Sequence, residues 1–131
     1  MKVYIAGPMR NIPQFGFDRF DAAKARAEAL GLEAVSPADL DRKEGFEGLG
    51  KLGIDSEWTS VLTKKDVIQR DIEALYTCDA LALLPGWERS TGTRVELALA
   101  LFLGLPILDA TNFQPYDAML VGFQGKEAVV R

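Results

Sequence analysis

Three observations predict an α/β fold, a parallel sheet of four to five strands with helices on both faces. Short apolar runs alternate with segments of helical spacing. Ala80-Leu81-Ala82-Leu83-Leu84 is apolar at every position, as a strand covered on both faces must be. Gly7-Pro8, Pro37 and Pro85-Gly86 stop three of the runs.

Val3 to Ala6 is the first predicted strand, and Pro8 to Gln14 a loop. Phe17, Phe20, Ala23, Ala27 and Leu30 recur at helical spacing until Gly31 stops them. Glu33 to Ser36 is the second strand. Residues 41–60 are rich in Gly and charge without periodicity, which predicts a long loop inserted into the domain. A helix follows over Thr63 to Tyr76, with Thr63 and Asp66 in capping-box spacing. After the Ala80 strand comes an apolar helix from Thr93 to Leu103, ended by Gly104, and then a strand over Pro106 to Asp109. The tail after Thr111 is mixed.

With 131 residues, one domain spanning 1–131 is expected. The 15 basic and 19 acidic side chains leave a net charge of −4, which argues against a nucleic-acid partner. Cys78 is the single cysteine, so no internal disulfide forms and a reducing compartment is expected. The apolar start is too short for a secretory leader, and no run is long enough to span a membrane. A cytoplasmic protein with no membrane partner is the expectation. The absence of histidine excludes Ser-His-Asp and Cys-His chemistry and most catalytic zinc sites. Acid–base work must fall to carboxylates, Tyr or Lys, with no metal or cofactor expected.

In parallel sheets, ligands bind beyond the carboxyl ends of the strands. This directs attention to the loops Gly7 to Arg10 and Pro85 to Gly92. Glu96 follows the second of them, near the start of a helix that is apolar almost all round. The positive end of the helix favours its ionised form, as a nucleophile requires; the alternative is a capping box with Thr93. Asp71 interrupts an apolar stripe made by Val67, Ile68 and Leu75. It needs a partner or a task, unless it sits at the stripe's edge paired with Arg70 or Lys64. Tyr4 brings a hydroxyl to the end of a buried strand, where a carboxylate is a natural partner and a plain core role the alternative. Ser90-Thr91-Gly92-Thr93 offers hydroxyls and free N–H groups to an anion or sugar, as well as an ordinary helix start. Trp58 and Trp87 flank this region, either to stack on a base or to anchor loops. Gly48-Leu49-Gly50-Lys51-Leu52-Gly53 fits a dinucleotide fingerprint but follows no predicted strand, so it reads as a flexible loop.

Tyr4-Ile5-Ala6-Gly7-Pro8-Met9-Arg10, Asp71-Ile72-Glu73-Ala74-Leu75 with Cys78-Asp79-Ala80, and Ser90-Thr91-Gly92-Thr93-Arg94-Val95-Glu96 together resemble the nucleoside 2-deoxyribosyltransferase superfamily. That superfamily includes the deoxynucleoside 5′-monophosphate N-glycosidases, and the chain looks most like its small phage-type members. The resemblance covers about residues 1–110. It implies a Rossmann-like, flavodoxin-like three-layer domain acting on a small nucleotide or nucleoside. Glu96 matches the nucleophile that attacks the anomeric carbon, Tyr4 the tyrosine that orients it, and Asp71 an aspartate in the sugar and leaving-base region. Gly7, Met9 and Arg10 match a turn that contacts the sugar or its 5′-phosphate. Ser90 and Gly92 belong to the same binding motif. Ser90 stands where monophosphate hydrolases carry Ser and nucleoside transferases a carboxylate. Family members are dimers or larger, and Tyr116-Asp117-Ala118-Met119 resembles the segment with which a neighbour closes each site. Asp117 stands where phosphate-binding relatives carry Ser. The resemblance therefore implies an N-glycosidase of deoxynucleoside 5′-monophosphates. Base exchange between nucleosides is the alternative, with non-catalytic nucleotide binding and NAD glycohydrolysis as competing readings.

Overall fold

The computed structural model describes residues 1–116. Four strands, β1 (Lys2–Ala6), β2 (Glu33–Val35), β3 (Ala80–Leu83) and β4 (Ile107–Asp109), form a parallel sheet in the order β2-β1-β3-β4. The helices are α1 (Phe17–Ala29), α2 (Pro37–Lys43), α3 (Lys64–Tyr76) and α4 (Thr91–Leu103). The sequence predicts each strand to within one residue at either end.

Alternation along the strands builds three layers. Val3 and Ile5 of β1 pack with Phe17, Phe20, Ala23 and Ala27 of α1. Tyr4 and Ala6 point the other way, to Leu75 of α3 and Leu97 and Ala100 of α4. The strand order changes direction at β1, with β2 on one side and β3 on the other, so a crevice opens beyond the carboxyl ends of β1 and β3. Gly7 occupies that edge because a Cβ there would lie 2.7 Å from the Leu84 Cβ.

Residues 41–60 are not one loop. Asp41 to Lys43 complete α2, and Asp55–Glu57 form a 3₁₀ turn. Ser36 caps α2 by accepting the Ala38 N–H, with Pro37 following in its preferred place. The Gly48 to Gly53 stretch is tied down rather than flexible. Glu57 accepts the N–H groups of Leu52, Gly53 and Ile54. Asn11 donates to the Gly53 carbonyl at 2.8 Å, and Gln14 to that of Lys51 at 2.8 Å. A Cβ on Gly53 would meet the Ile12 carbonyl oxygen at 2.1 Å, which is how closely the two segments pack. Beyond β4, Tyr116 donates its N–H to the Ile107 carbonyl and accepts the Trp87 indole N–H at 2.9 Å. Among the described residues no helix is long and apolar enough to cross a membrane.

Candidate functional site

A cavity of about 980 Å³ occupies the crevice. Gly7, Met9 and Arg10 border it from the turn after β1, and Ser90, Gly92 and Glu96 from the start of α4. Asp71 reaches it from α3. Tyr4 joins through its hydroxyl, which donates to Glu96 Oε2 at 2.6 Å across 92 residues of chain. Eight predicted site residues therefore converge on one crevice, while Asp117 and Met119 lie outside the described residues.

Glu96 is not a capping residue. Ser90 is the N-cap of α4, taking the Thr93 N–H on its Oγ, which frees Glu96 to turn inward to Tyr4. Burial pushes its carboxyl up to about 8, with the nearby Asp71 charge adding to the rise. The Tyr4 hydrogen bond and the Arg70 charge pull it down without offsetting the burial. Burial acts against the charge that the helix start favours, because desolvation beside Tyr4 and the apolar body of α4 penalises the ionised carboxylate.

Asp71 is buried and takes both Nε and Nη2 of Arg70 on Oδ1, at 2.9 and 2.7 Å. It is therefore paired with Arg70 but lies inside the stripe, not at its edge. Arg70 also reaches Asp41 Oδ1 at 2.8 Å and Glu44 at 2.9 Å, joining α3 to α2. Burial lifts Asp71 to about 6 and raises Asp41, while Arg70 lowers both.

Every buried side-chain nitrogen or oxygen among the described residues has a hydrogen-bond partner. Glu96 Oε1, Asp71 Oδ2 and Asp41 Oδ2 have no hydrogen-bond partner among the described residues and are not enclosed by them. All three residues border the cavity. Three carboxylate oxygens thus open onto one crevice, each with its twin held by a hydrogen bond.

Sequence reasoning missed Asp41, which in the sequence looks like surface charge, and named Arg70 only as a partner for Asp71 at the edge of the stripe. It also missed the aromatic wall of Phe15 and Phe46, whose rings meet edge to face 5.4 Å apart. Trp58 completes that wall, whereas Trp87 does not border the cavity and packs beneath α4 instead. Arg10 borders the cavity already engaged, its Nε 2.8 Å and Nη2 2.5 Å from the two Asp55 oxygens. Lys64, Lys65 and Arg89 also border it and make no ion pair among the described residues. Asn11, Gln14 and Phe15 have left-handed backbone, with φ of 63°, 60° and 55°. Non-glycine strain of this kind gathers where a loop is held to a fixed shape at a site.

The profile of a family described as "Domain of unknown function (DUF4406)" matches residues 1–109, and the chain belongs to that family. No curated protein matches it. Among solved structures, it is similar to a 2-deoxyribosyltransferase from the psychrotolerant bacterium Bacillus psychrosaccharolyticus, described as a biocatalyst for the synthesis of antiviral and antitumoral nucleosides. The two share 23% identity over 82% of this chain and 70% of the other, with a TM-score of 0.55. That likeness shows a common fold.

Proposed function

We propose that this DUF4406 member is an N-glycosidase that cleaves the base–sugar bond of deoxynucleoside 5′-monophosphates through Glu96. One observation carries the reading: Tyr4 holds Oε2 of a buried glutamate at 2.6 Å, while Oε1 is left for the cavity. An attacking oxygen needs this arrangement, one lone pair fixed and the other aimed at the reacting carbon.

The ionised Glu96 Oε1 bonds to the anomeric carbon as the carbon–nitrogen bond breaks. The bond's electron pair leaves with the base, which takes a proton from the Asp71 carboxyl. Water then opens the glycosyl ester, restores the Glu96 carboxylate and returns a proton to Asp71. Two displacements retain the anomeric configuration, as in retaining glycosidases. Burial raises both carboxyls, Glu96 to about 8 and Asp71 to about 6, so the reacting form, with Glu96 ionised and Asp71 protonated, requires a proton to pass from Glu96 to Asp71 once substrate is bound. If a second base opens the ester in place of water, the outcome is base exchange, the activity named for the structurally similar enzyme.

For the 5′ end, the Ser90 hydroxyl and the first N–H groups of α4 offer neutral donors to phosphate. Arg89, Lys64 and Lys65 add positive charge around the same cavity, and Arg10 joins them if phosphate displaces Asp55. Val95, Phe102 and Leu103 are exposed along α4, which favours a homodimer or larger assembly.

The test is a chromatographic screen of nucleosides, nucleotides and NAD for free base or nicotinamide, with Glu96→Ala beside the wild type. Base release that the variant loses by at least about 100-fold is expected. Turnover retained in Glu96→Ala, or nicotinamide as the product, would refute the assignment.

A further inference from the structure

We infer that Asp41 selects the base, and that the cavity takes a nucleobase bearing an exocyclic amino group, which donates a hydrogen bond to Asp41 Oδ2. The inference rests on the glycosidic reading above and assigns the other half of the same pocket.

Asp41 is 7% exposed and comes from α2, an element with no part in the proposed cleavage. Arg70 Nη2 holds its Oδ1 at 2.8 Å and so orients the carboxylate. Oδ2 has no partner among the described residues and, by the satisfaction of every buried polar atom, faces open space. The cavity is the open space that Asp41 borders. Around it stand Phe46, Trp58 and Leu62, which are buried and offer flat apolar surface to a planar ring. The Gly7 turn and the Ser90 helix start enter from the strand ends instead, with Asp71 joined to Asp41 through Arg70.

A carboxylate oxygen in such a place accepts and does not donate. It is satisfied by the amino group of cytosine or adenine. A carbonyl in the same position, as in uracil or hypoxanthine, leaves two acceptors facing each other in a desolvated pocket. Sites built to receive a donor discriminate strongly against partners that lack it.

Calorimetric titration of the Glu96→Gln protein, which holds substrate without turning it over, reads this directly. The probes are dCMP against dUMP and dAMP against dIMP, with the corresponding nucleosides alongside. The amino member of each pair is expected to bind at least about 10-fold more tightly. Adding Asp41→Asn, whose carboxamide both accepts and donates, should reduce that preference to less than about threefold. Equal binding within the pairs, preference for the carbonyl member, no binding of any probe, or a preference that survives Asp41→Asn would overturn the inference. Base release by the wild type without amino selectivity removes the role of Asp41 and leaves the glycosidase. Amino-selective binding with no release by the wild type does the reverse.

Discussion

Replacing Glu96 by Gln should change how the stability of this protein depends on pH. In the folded protein burial pushes the carboxyl from an ordinary 4.5 up to about 8. Between those values the folded state keeps a proton that the unfolded chain has released. Stability therefore falls as pH rises through this window, and is fully present only below the unfolded value. The groups that set the folded value are Tyr4 from β1 and Asp71 and Arg70 from α3. Tyr4 and Arg70 favour the carboxylate, and Asp71 opposes it. A displacement of this size, at about 1.4 kcal/mol per pH unit, sets a ceiling on the order of 5 kcal/mol between pH 4 and pH 9. Asp71 and Asp41 are also raised, so the wild type has further losses of the same sign. The difference between wild type and Glu96→Gln cancels the Asp41 part and leaves Glu96 together with its coupling to Asp71. Urea midpoints measured from pH 5 to pH 9 should show the variant gaining on the wild type by at least about 2 kcal/mol as pH rises. Parallel curves would mean that Glu96 is ionised in the fold, and would remove burial as the dominant influence on it.

Two further outcomes follow from the same geometry. Tyr4→Phe should lower kcat by roughly 10- to 1,000-fold with little change in substrate binding. It should also move the acid limb of the kcat/KM profile to higher pH, because the lost hydrogen bond favours the Glu96 carboxylate; an unchanged rate and profile would return Tyr4 to a packing role. Ser90→Asp keeps a good N-cap on α4 but places a charge beside the proposed phosphate position, so the monophosphate-to-nucleoside ratio of kcat/KM should fall about 10-fold or more. A ratio that does not move would show that the 5′ end lies elsewhere.

How legible these features are in the sequence depends on whether their cause is local. The β1 and β3 strands are readable because a strand covered on both faces must be apolar throughout, and α4 because its apolar body ends at Gly104. α2 is not, since PADLDRK has no apolar stripe. Its ion pairs come from distant chain: Arg42 to Asp21, Lys24 to Asp39, and Arg70 to Asp41 and Glu44. The Tyr4–Glu96 contact joins β1 to α4 across 92 residues of chain and shows in the sequence only through its motifs. The upward push on the Glu96 carboxyl is less legible still. A helix start argues locally for charge, and only the packing of β1 and α3 against α4 removes the water that would support it.

The same packing explains why the site is arranged as it is. Asp41, Asp71 and Glu96 share one cavity, and the half-buried Arg70 pairs with Asp41 and Asp71. Burial raises all three carboxyls, so the crevice disfavours negative charge on them. A sugar approaching an oxocarbenium ion brings positive charge to that place. The pocket then gains most at the moment the glycosidic bond breaks, which is the differential stabilisation that catalysis requires. On the proposed reading, Asp71→Asn leaves a pocket that binds its nucleotide and breaks the bond more slowly.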